Sequence, residues 1–164
     1  MSASTTLRML VVLGEGGHTA EILRLVDLMG ETYAYHYLLA AEDPLSEQWI
    51  RIPGPVYRIR RPRAKQEPWL SVAWHLLVSG WQALRVVRRV RPHALLGSGP
   101  ALMVPVAFFA KLFGAQIIHV ETGSRVTRLS LTGRLMYRWA DLFFVQWPDL
   151  CEKYPKAIYA GRLY

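Results

Sequence analysis

The spacing of apolar residues changes period several times along the chain. Leu7-Arg8-Met9-Leu10-Val11-Val12-Leu13 is a short, nearly continuous apolar run closed by Gly14, the pattern of a buried parallel strand. Glu21, Ile22, Leu25, Val26 and Met29 then fall at helical spacing, and Gly30 ends that helix. Strands are predicted over Ala34–Ala40, Val56–Ile59, Ala94–Leu96, Gln116–Glu121 and Leu142–Gln146. Helices are predicted from about Leu102 to Phe113 and around Leu135–Ala140. Strands alternating with helices imply crossover units and a parallel sheet covered on both faces. With no repeat, low-complexity tract or linker, residues 1–164 are expected to form one Rossmann-like α/β domain, a parallel sheet layered between helices.

One segment departs from that rhythm. From Pro68 to Leu84 there is no formal charge, and Leu70, Trp74, Leu77, Trp81 and Leu84 form one helical stripe. Ser71, His75, Ser79 and Gln82 lie roughly opposite, and the last turns are basic. The pattern resembles a helix lying in the headgroup region of a membrane. A span would need about 20 mainly apolar residues, and this run is shorter and interrupted. The other reading is a sheet-covering helix with its tryptophans in the core.

Charge changes the weight of these two readings. The 164 residues carry 20 Lys+Arg and 12 Asp+Glu, a net +8. Arg58, Arg60, Arg61, Arg63, Lys65, Arg85, Arg88, Arg89 and Arg91, against Glu67 alone, supply all of it. Anionic lipid offers about 1 kcal/mol per nearby basic residue, so Trp69, Trp74, Trp81, Arg85, Arg88 and Arg89 are expected to touch a membrane. Composition closes other doors. A hydrophobic content of 52% excludes disorder. A single cysteine, Cys151, excludes a disulfide scaffold and thiolate metal clusters. No signal-peptide pattern is visible at the start, which places the chain on the cytosolic side as an expectation.

Two glycine turns carry the candidate chemistry. Gly14-Glu15-Gly16-Gly17-His18 follows the first strand and opens the first helix, whose unpaired N–H groups suit phosphate. Thr19 stands where a dinucleotide fingerprint needs glycine, and no Gly-Lys-Ser/Thr occurs. Leu96-Gly97-Ser98-Gly99-Pro100 repeats the strand-turn-helix arrangement, with Pro100 expected at the first helical position. Ligands collect at the carboxyl ends of parallel strands, so Gly14, Gly16, Gly17, Thr19, Gly97, Ser98 and Gly99 are expected to hold one diphosphate. His18 is the first candidate for a base or diphosphate donor; packing or helix capping is its other reading. Glu121 is expected to point into the same crevice, as base or acceptor-orienting group, with an ion pair to Arg125 or Arg128 as the alternative. His119 is a weaker candidate. His36, His75 and His93 read as structural, and no metal-ligand pattern stands out.

With these pieces placed, the chain resembles a known family. The matching text runs from Met9 to Tyr164: Gly16-Gly17-His18-Thr19 with Glu21-Ile22-Leu23-Arg24-Leu25, Gly99-Pro100, Val120-Glu121, and Ser124-Arg125-Val126. Leu129-Ser130, Thr132-Gly133, Phe144-Val145-Gln146-Trp147-Pro148, Lys153-Tyr154-Pro155-Lys156, Tyr159 and Gly161-Arg162 complete it. It is similar to the membrane-associated subunit of the two-chain UDP-N-acetylglucosamine transferase that adds the second sugar of lipid-linked N-glycan precursors, and to that subunit's bacterial polysaccharide relatives. The bacterial transferase that forms lipid II shares the glycine turns less specifically. Many relatives have a small residue where Glu15 stands, and many eukaryotic members carry an N-terminal transmembrane helix.

The resemblance implies the N-terminal, acceptor-side half of an inverting B-type glycosyltransferase, inactive without a separate small donor-binding chain. The substrates implied are a UDP-sugar and a polyprenyl-diphosphate-linked sugar, at the cytoplasmic face of a membrane with anionic lipid. No cofactor and no metal are called for. Alternatives are a glucuronosyl- or glucosyltransferase subunit for exopolysaccharide and a non-catalytic membrane recruiter. Nucleic acid is not expected, because the basic stretch lacks the aromatic-studded strands of an RNA-binding module.

Overall fold

The computed structural model describes residues 6–14, 16–61 and 69–163, with 69–76 given as helical backbone. Strands β1 (Arg8–Val12), β2 (Ala34–Ala40), β3 (Val56–Ile59), β4 (Ala94–Gly97), β5 (Gln116–Val120), β6 (Leu142–Val145) and β7 (Ala157–Tyr159) form one sheet. Helices α1 (Gly17–Met29), α2 (Trp69–Val90), α3 (Met103–Leu112), α4 (Leu131–Trp139) and α5 (Asp149–Lys153) connect them, with short 3-10 turns at Gly30–Thr32 and Ser46–Trp49. Every neighbouring pair is parallel, in the order β3-β2-β1-β4-β5-β6-β7. The order reverses between β1 and β4, where an open α/β sheet forms its crevice. The expected α/β class is therefore the observed one.

Alternation along each strand divides the core in two. Leu10 and Val12 face the side covered by α2 to α5, where Val87, Met103, Val106, Met136 and Leu150 close over them. Met9, Val11 and Leu13 face the other side, against Ile22, Leu23 and Val26 of α1. Leu10, Val11, Val12 and Leu13 are completely buried, each worth roughly 1.5–3 kcal/mol relative to exposure. Four helices cover one face. The opposite face has α1, helped by Ile50, Ile52 and Leu163.

Several boundaries differ from the sequence reading for local reasons. Helix α4 begins at Leu131 instead of Leu135, because the Ser130 hydroxyl accepts the Gly133 amide at 2.9 Å and caps it. Helix α3 begins at Met103, so Pro100 is not its first residue; the Pro100 carbonyl accepts the Met103 amide at 2.9 Å. Pro105 falls in the first turn, where its missing N–H leaves no bond unmade. Helix α5 and strand β7 had no counterpart in the sequence reading.

Helix α2 settles which of its sides faces the sheet. Ser79, Ala83, Val87 and Val90 are buried, whereas Leu77 is 68% and Trp81 61% exposed. Arg85, Arg88 and Arg89 are exposed as well. The helix does cover the sheet, but with its small residues, and Trp81 is not core. Ser79, set by the sequence on the polar side, faces the interior, and the Gln82 side-chain Oε1 accepts the Arg60 backbone amide at 2.8 Å. The side chains of Trp69 and Trp74 lie outside the described residues. Arg89 leaves the stripe, its guanidinium standing 5.9 Å over the Tyr57 ring. At the C-terminal end the Arg8 side chain donates to the carbonyls of Val90 (2.9 Å) and Arg91 (2.9 and 3.0 Å), a cation at the negative pole of the helix. Among the described residues no helix is long and apolar enough to cross a membrane.

The orientation of α2 is testable by a contrasting pair. Val87→Ala should lower unfolding free energy by roughly 2 kcal/mol, from two lost methylene equivalents plus a residual cavity. Trp81→Ala, far larger in volume, should change it by less than about 0.5 kcal/mol, as an exposed substitution does. Urea melts of both variants measure this. Equal losses would place Trp81 in the core.

Candidate functional site

The parallel pairing of β1 with β4 aligns Val12 with Gly97. Both chains then turn at the same level, and the two glycine turns meet. Gly99 lies at φ +50°, and a Cβ built there would fall within 3.1 Å of three atoms of the His18 ring. The imidazole thus occupies the place of a side chain at position 99, which only glycine leaves free. Gly14 lies under the same histidine: a Cβ there would stand 3.0 Å from His18 Cβ and 3.3 Å from Pro100 Cγ. His18 is the second residue of α1, so its ring sits at the positive end of that helix.

The first turn of α1 is open. Gly16, at φ +60°, is the N-cap, and no side chain caps the helix or places an acid in that turn. Gly16 and Gly17 are both exposed. Their amides, with the His18 ring, form the part of the crevice that an anion can reach.

Other expected diphosphate ligands do different work. Thr19 is completely buried; its hydroxyl donates to the Gly14 carbonyl and lies 3.0 Å from the Ser46 hydroxyl. It pins the turn from inside and does not face a ligand. Gly97 is also interior, since a Cβ there would stand 2.7 Å from Met103 Sδ and 3.1 Å from Val12 Cβ. Its glycine is required by packing. Ser98 is buried with its hydroxyl 3.5 Å from His18 Nδ1, where it backs the ring. Glu15 lies outside the described residues.

Glu121 corrects a further expectation. Its side chain does not open into the crevice but is fully buried. One carboxylate oxygen accepts the Ser130 amide and hydroxyl, both at 3.1 Å, and the other accepts the Thr122 amide at 3.3 Å. Gly133 makes the room, because any Cβ there would collide with that carboxylate. Burial pushes the Glu121 carboxyl above the ordinary value, and the bonds from Ser130 and Thr122 pull against it. The residue ties the β5–α4 loop to the start of α4. An ion pair with Arg125 or Arg128 is not what holds it.

The other histidines are interior or structural. His119 is completely buried, stacked at 5.0 Å on Phe143, with neither ring nitrogen hydrogen-bonded. Burial, reinforced by His18, lowers it to about 3. His93 Nδ1 accepts the Arg8 amide at 3.0 Å, and His36 stacks at 6.0 Å on Tyr57. His75 carries no described side chain.

His18 itself is held below its ordinary value, chiefly by burial, with Arg125 adding to the effect and Glu21 opposing it. A neutral imidazole keeps one N–H and one lone pair, so it can donate to an anion or take a proton. Two side chains near it were not among the candidates. Arg125 adds a cation from the β5–α4 loop, and Glu21, one turn further along α1, bonds that same loop. Both stand in motifs read in the sequence, but nothing local in the sequence shows that α1 and this loop meet. Among the described residues no cluster of His, Cys, Asp or Glu could hold a metal ion.

Two pH effects are expected. Between about pH 6.5 and 3 the unfolded chain binds a proton at His119 that the folded chain refuses, so stability falls as pH falls through that window. The slope from this group approaches order 1 kcal/mol per pH unit, and His119→Phe should flatten it in pH-dependent denaturant melts; an unchanged slope would refute this. Arg125→Gln should raise the His18 titration midpoint, read from its imidazole proton resonances, because it removes a like charge. A midpoint that stays or falls would separate the two groups.

The comparisons with known proteins bear on the family and the fold. The family profile for "Oligosaccharide biosynthesis protein Alg14 like" matches residues 9–163. The human UDP-N-acetylglucosamine transferase subunit ALG14 is 38% identical over 180 residues, spanning 96% of this chain and 83% of the human protein. The subunit from Schizosaccharomyces pombe is 31% identical over 176 residues, spanning 93% and 81%. Among solved structures, MurG from Acinetobacter baumannii superposes with a TM-score of 0.71 at 16% identity, over 96% of this chain and 44% of MurG. A UDP-N-acetylglucosamine 2-epimerase gives 0.75 at 12% identity, over 96% of this chain and 49% of the epimerase. The chain thus spans about half of each of these larger enzymes and has the fold of the N-terminal half of a B-type glycosyltransferase. It belongs to the Alg14 family of UDP-N-acetylglucosamine transferase subunits.

Proposed function

We propose that this chain is the acceptor-binding half of a two-chain glycosyltransferase. The complete enzyme transfers a sugar, N-acetylglucosamine by analogy with the named relatives, from a UDP-sugar to a polyprenyl-diphosphate-linked sugar with inversion. The observation that carries the reading is the meeting of the two glycine turns around His18, beside an uncapped helix start, in a chain of the Alg14 family. The acceptor diphosphate lies at the Gly16 and Gly17 amides, with His18 as hydrogen-bond donor or general base and Arg125 as the nearby cation. Gly14, Gly97, Ser98, Gly99 and Thr19 shape that site from beneath, and Glu121 holds the loop that carries Arg125.

The outer face of α2 brings the domain to its lipid substrate. Trp81, Leu84, Arg85 and Arg88 line a hollow of about 200 Å³ on that face, joining an apolar wedge to cations in the manner of an interfacial helix. Trp74 continues the same stripe in the sequence, and Trp69 falls in the same uncharged run. A peripheral association with anionic lipid, on the face of the membrane where UDP-sugars are used, fits this arrangement. The donor sugar is bound mainly by the separate small chain.

Three measurements test the proposal. The chain alone should show little transferase activity and gain it with the donor-binding subunit; robust turnover by the single chain would refute the two-chain reading. In the complex, His18→Ala should lower kcat by roughly 10²–10⁴-fold if the imidazole transfers a proton. It should instead raise acceptor KM at nearly constant kcat if it binds only the ground-state diphosphate. Unchanged kinetics would remove His18 from the site. Replacing Arg85, Arg88 and Arg89 by Gln should weaken sedimentation with anionic vesicles more than with neutral ones, and an equal effect on both would reduce these arginines to a solvated surface.

A further inference from the structure

Glu21 comes three residues after His18 on α1, and its Oε1 accepts the Thr122 hydroxyl at 3.2 Å and the Gly123 amide at 3.0 Å. These bonds join the second turn of α1 to the β5–α4 loop, about a hundred residues away in sequence. The loop is gripped on its far side too. Trp147 Nε1 donates to the Gly123 carbonyl at 2.7 Å, and Gln146 Nε2 donates to the Glu121 carbonyl at 3.2 Å. Gly123 is therefore held by its N–H from one element and by its C=O from another. The turn closes two residues later, where the Arg125 amide donates to the Thr122 carbonyl at 3.0 Å. Where this turn is fastened sets the backbone position from which the exposed Arg125 acts on His18.

We propose that Glu21 is a positioning residue of the acceptor site: its carboxylate latches the β5–α4 loop onto α1 and fixes Arg125 beside His18. The inference rests on the acceptor-site reading above and adds a residue that reading does not use. Its second carboxylate oxygen is buried without a hydrogen-bond partner. Leaving a buried acceptor unpaired is unfavourable, so a purely structural tie would be served as well by an amide. The carboxylate's charge has its own use next to His18, where it favours the protonated ring against burial and Arg125. The groups bearing on His18 are then Glu21 on its own helix, Arg125 from the loop, His119 from β5 and the Ser98 hydroxyl from the β4–α3 turn.

The test uses Glu21→Ala and Glu21→Gln in the assembled two-chain enzyme, with three readouts. Amide hydrogen exchange at residues 123–125 should quicken about tenfold or more in Glu21→Ala, since a charge-assisted bond is lost. Acceptor KM should rise by a similar factor, with kcat changed much less. Glu21→Gln keeps an acceptor oxygen and should restore exchange protection and KM toward the parent, while the His18 titration midpoint drops because the charge is gone. Exchange at 123–125 unchanged in Glu21→Ala would overturn the latch. So would a Gln variant no better than Ala, or one whose His18 titrates as in the parent. The exchange and titration arms need no acceptor, so they judge Glu21 even if the glycolipid reading fails. If Glu21→Ala does not fold, the Gln variant alone decides on exchange, KM and midpoint.

Discussion

The in-register pairing of β1 with β4 is the constraint on which the site depends. Parallel strands aligned at Val12 and Gly97 must end together, and each of them runs directly into a glycine turn. A one-residue slip would turn every residue of β1 from one face of the sheet to the other and would part Gly99 from the His18 ring. The slip is opposed because Met9, Val11 and Leu13 are fitted against α1, and Leu10 and Val12 against the helices of the other face. Core packing and site geometry are therefore a single requirement here.

Around that pairing the loops are fastened in layers. Thr19 and Ser46 bond the Gly14 carbonyl from below, Ser98 backs the imidazole, and Glu121 with Ser130 ties the β5–α4 loop to α4. Polar groups at the strand ends are satisfied mainly by one another. What remains open is a small region of exposed amides beside a neutral histidine. The two faces of the domain divide the remaining tasks, with four helices on one side and one on the other, and the exposed tryptophan and arginines of α2 lie on the four-helix side.

Periodicity made the sheet legible, because runs such as Met9–Leu13 and Gln116–Val120 admit few other readings. The stripe of Leu77 and Trp81 on α2 was legible from the same arithmetic, whereas the inward one of Ala83 and Val87 was not, because Ser79 and Gln82 made that side read as polar. His18 was legible because glycines before a helix announce a reachable backbone. The directions of side chains at strand ends were not. Glu121 turns back under its own loop because Gly133, twelve residues on, leaves space for it, and no local spacing reports that. Thr19 and Gly97 share glycine-turn sequences with Gly16 and Gly99, yet Ser46 and Met103, from other elements, draw them inward. Helix α5 and β7, with five and three residues, are too short to show a period.

Strand β1 sits between β2, whose residues come 26 positions later, and β4, whose residues come 85 positions later. The first neighbour is made soon after β1, and the second only after 85 residues separate it from its partner. Long-range parallel pairings are slow to form because loop closure precedes any return in contacts. Emerging in order, β1, α1 and β2 would therefore leave one edge of β1, whose Leu10, Val11 and Val12 are completely buried in the finished fold, unpaired until β4 arrives. The glycine turn that follows β1 is translated well before β4 and acquires its shape only once that strand has paired.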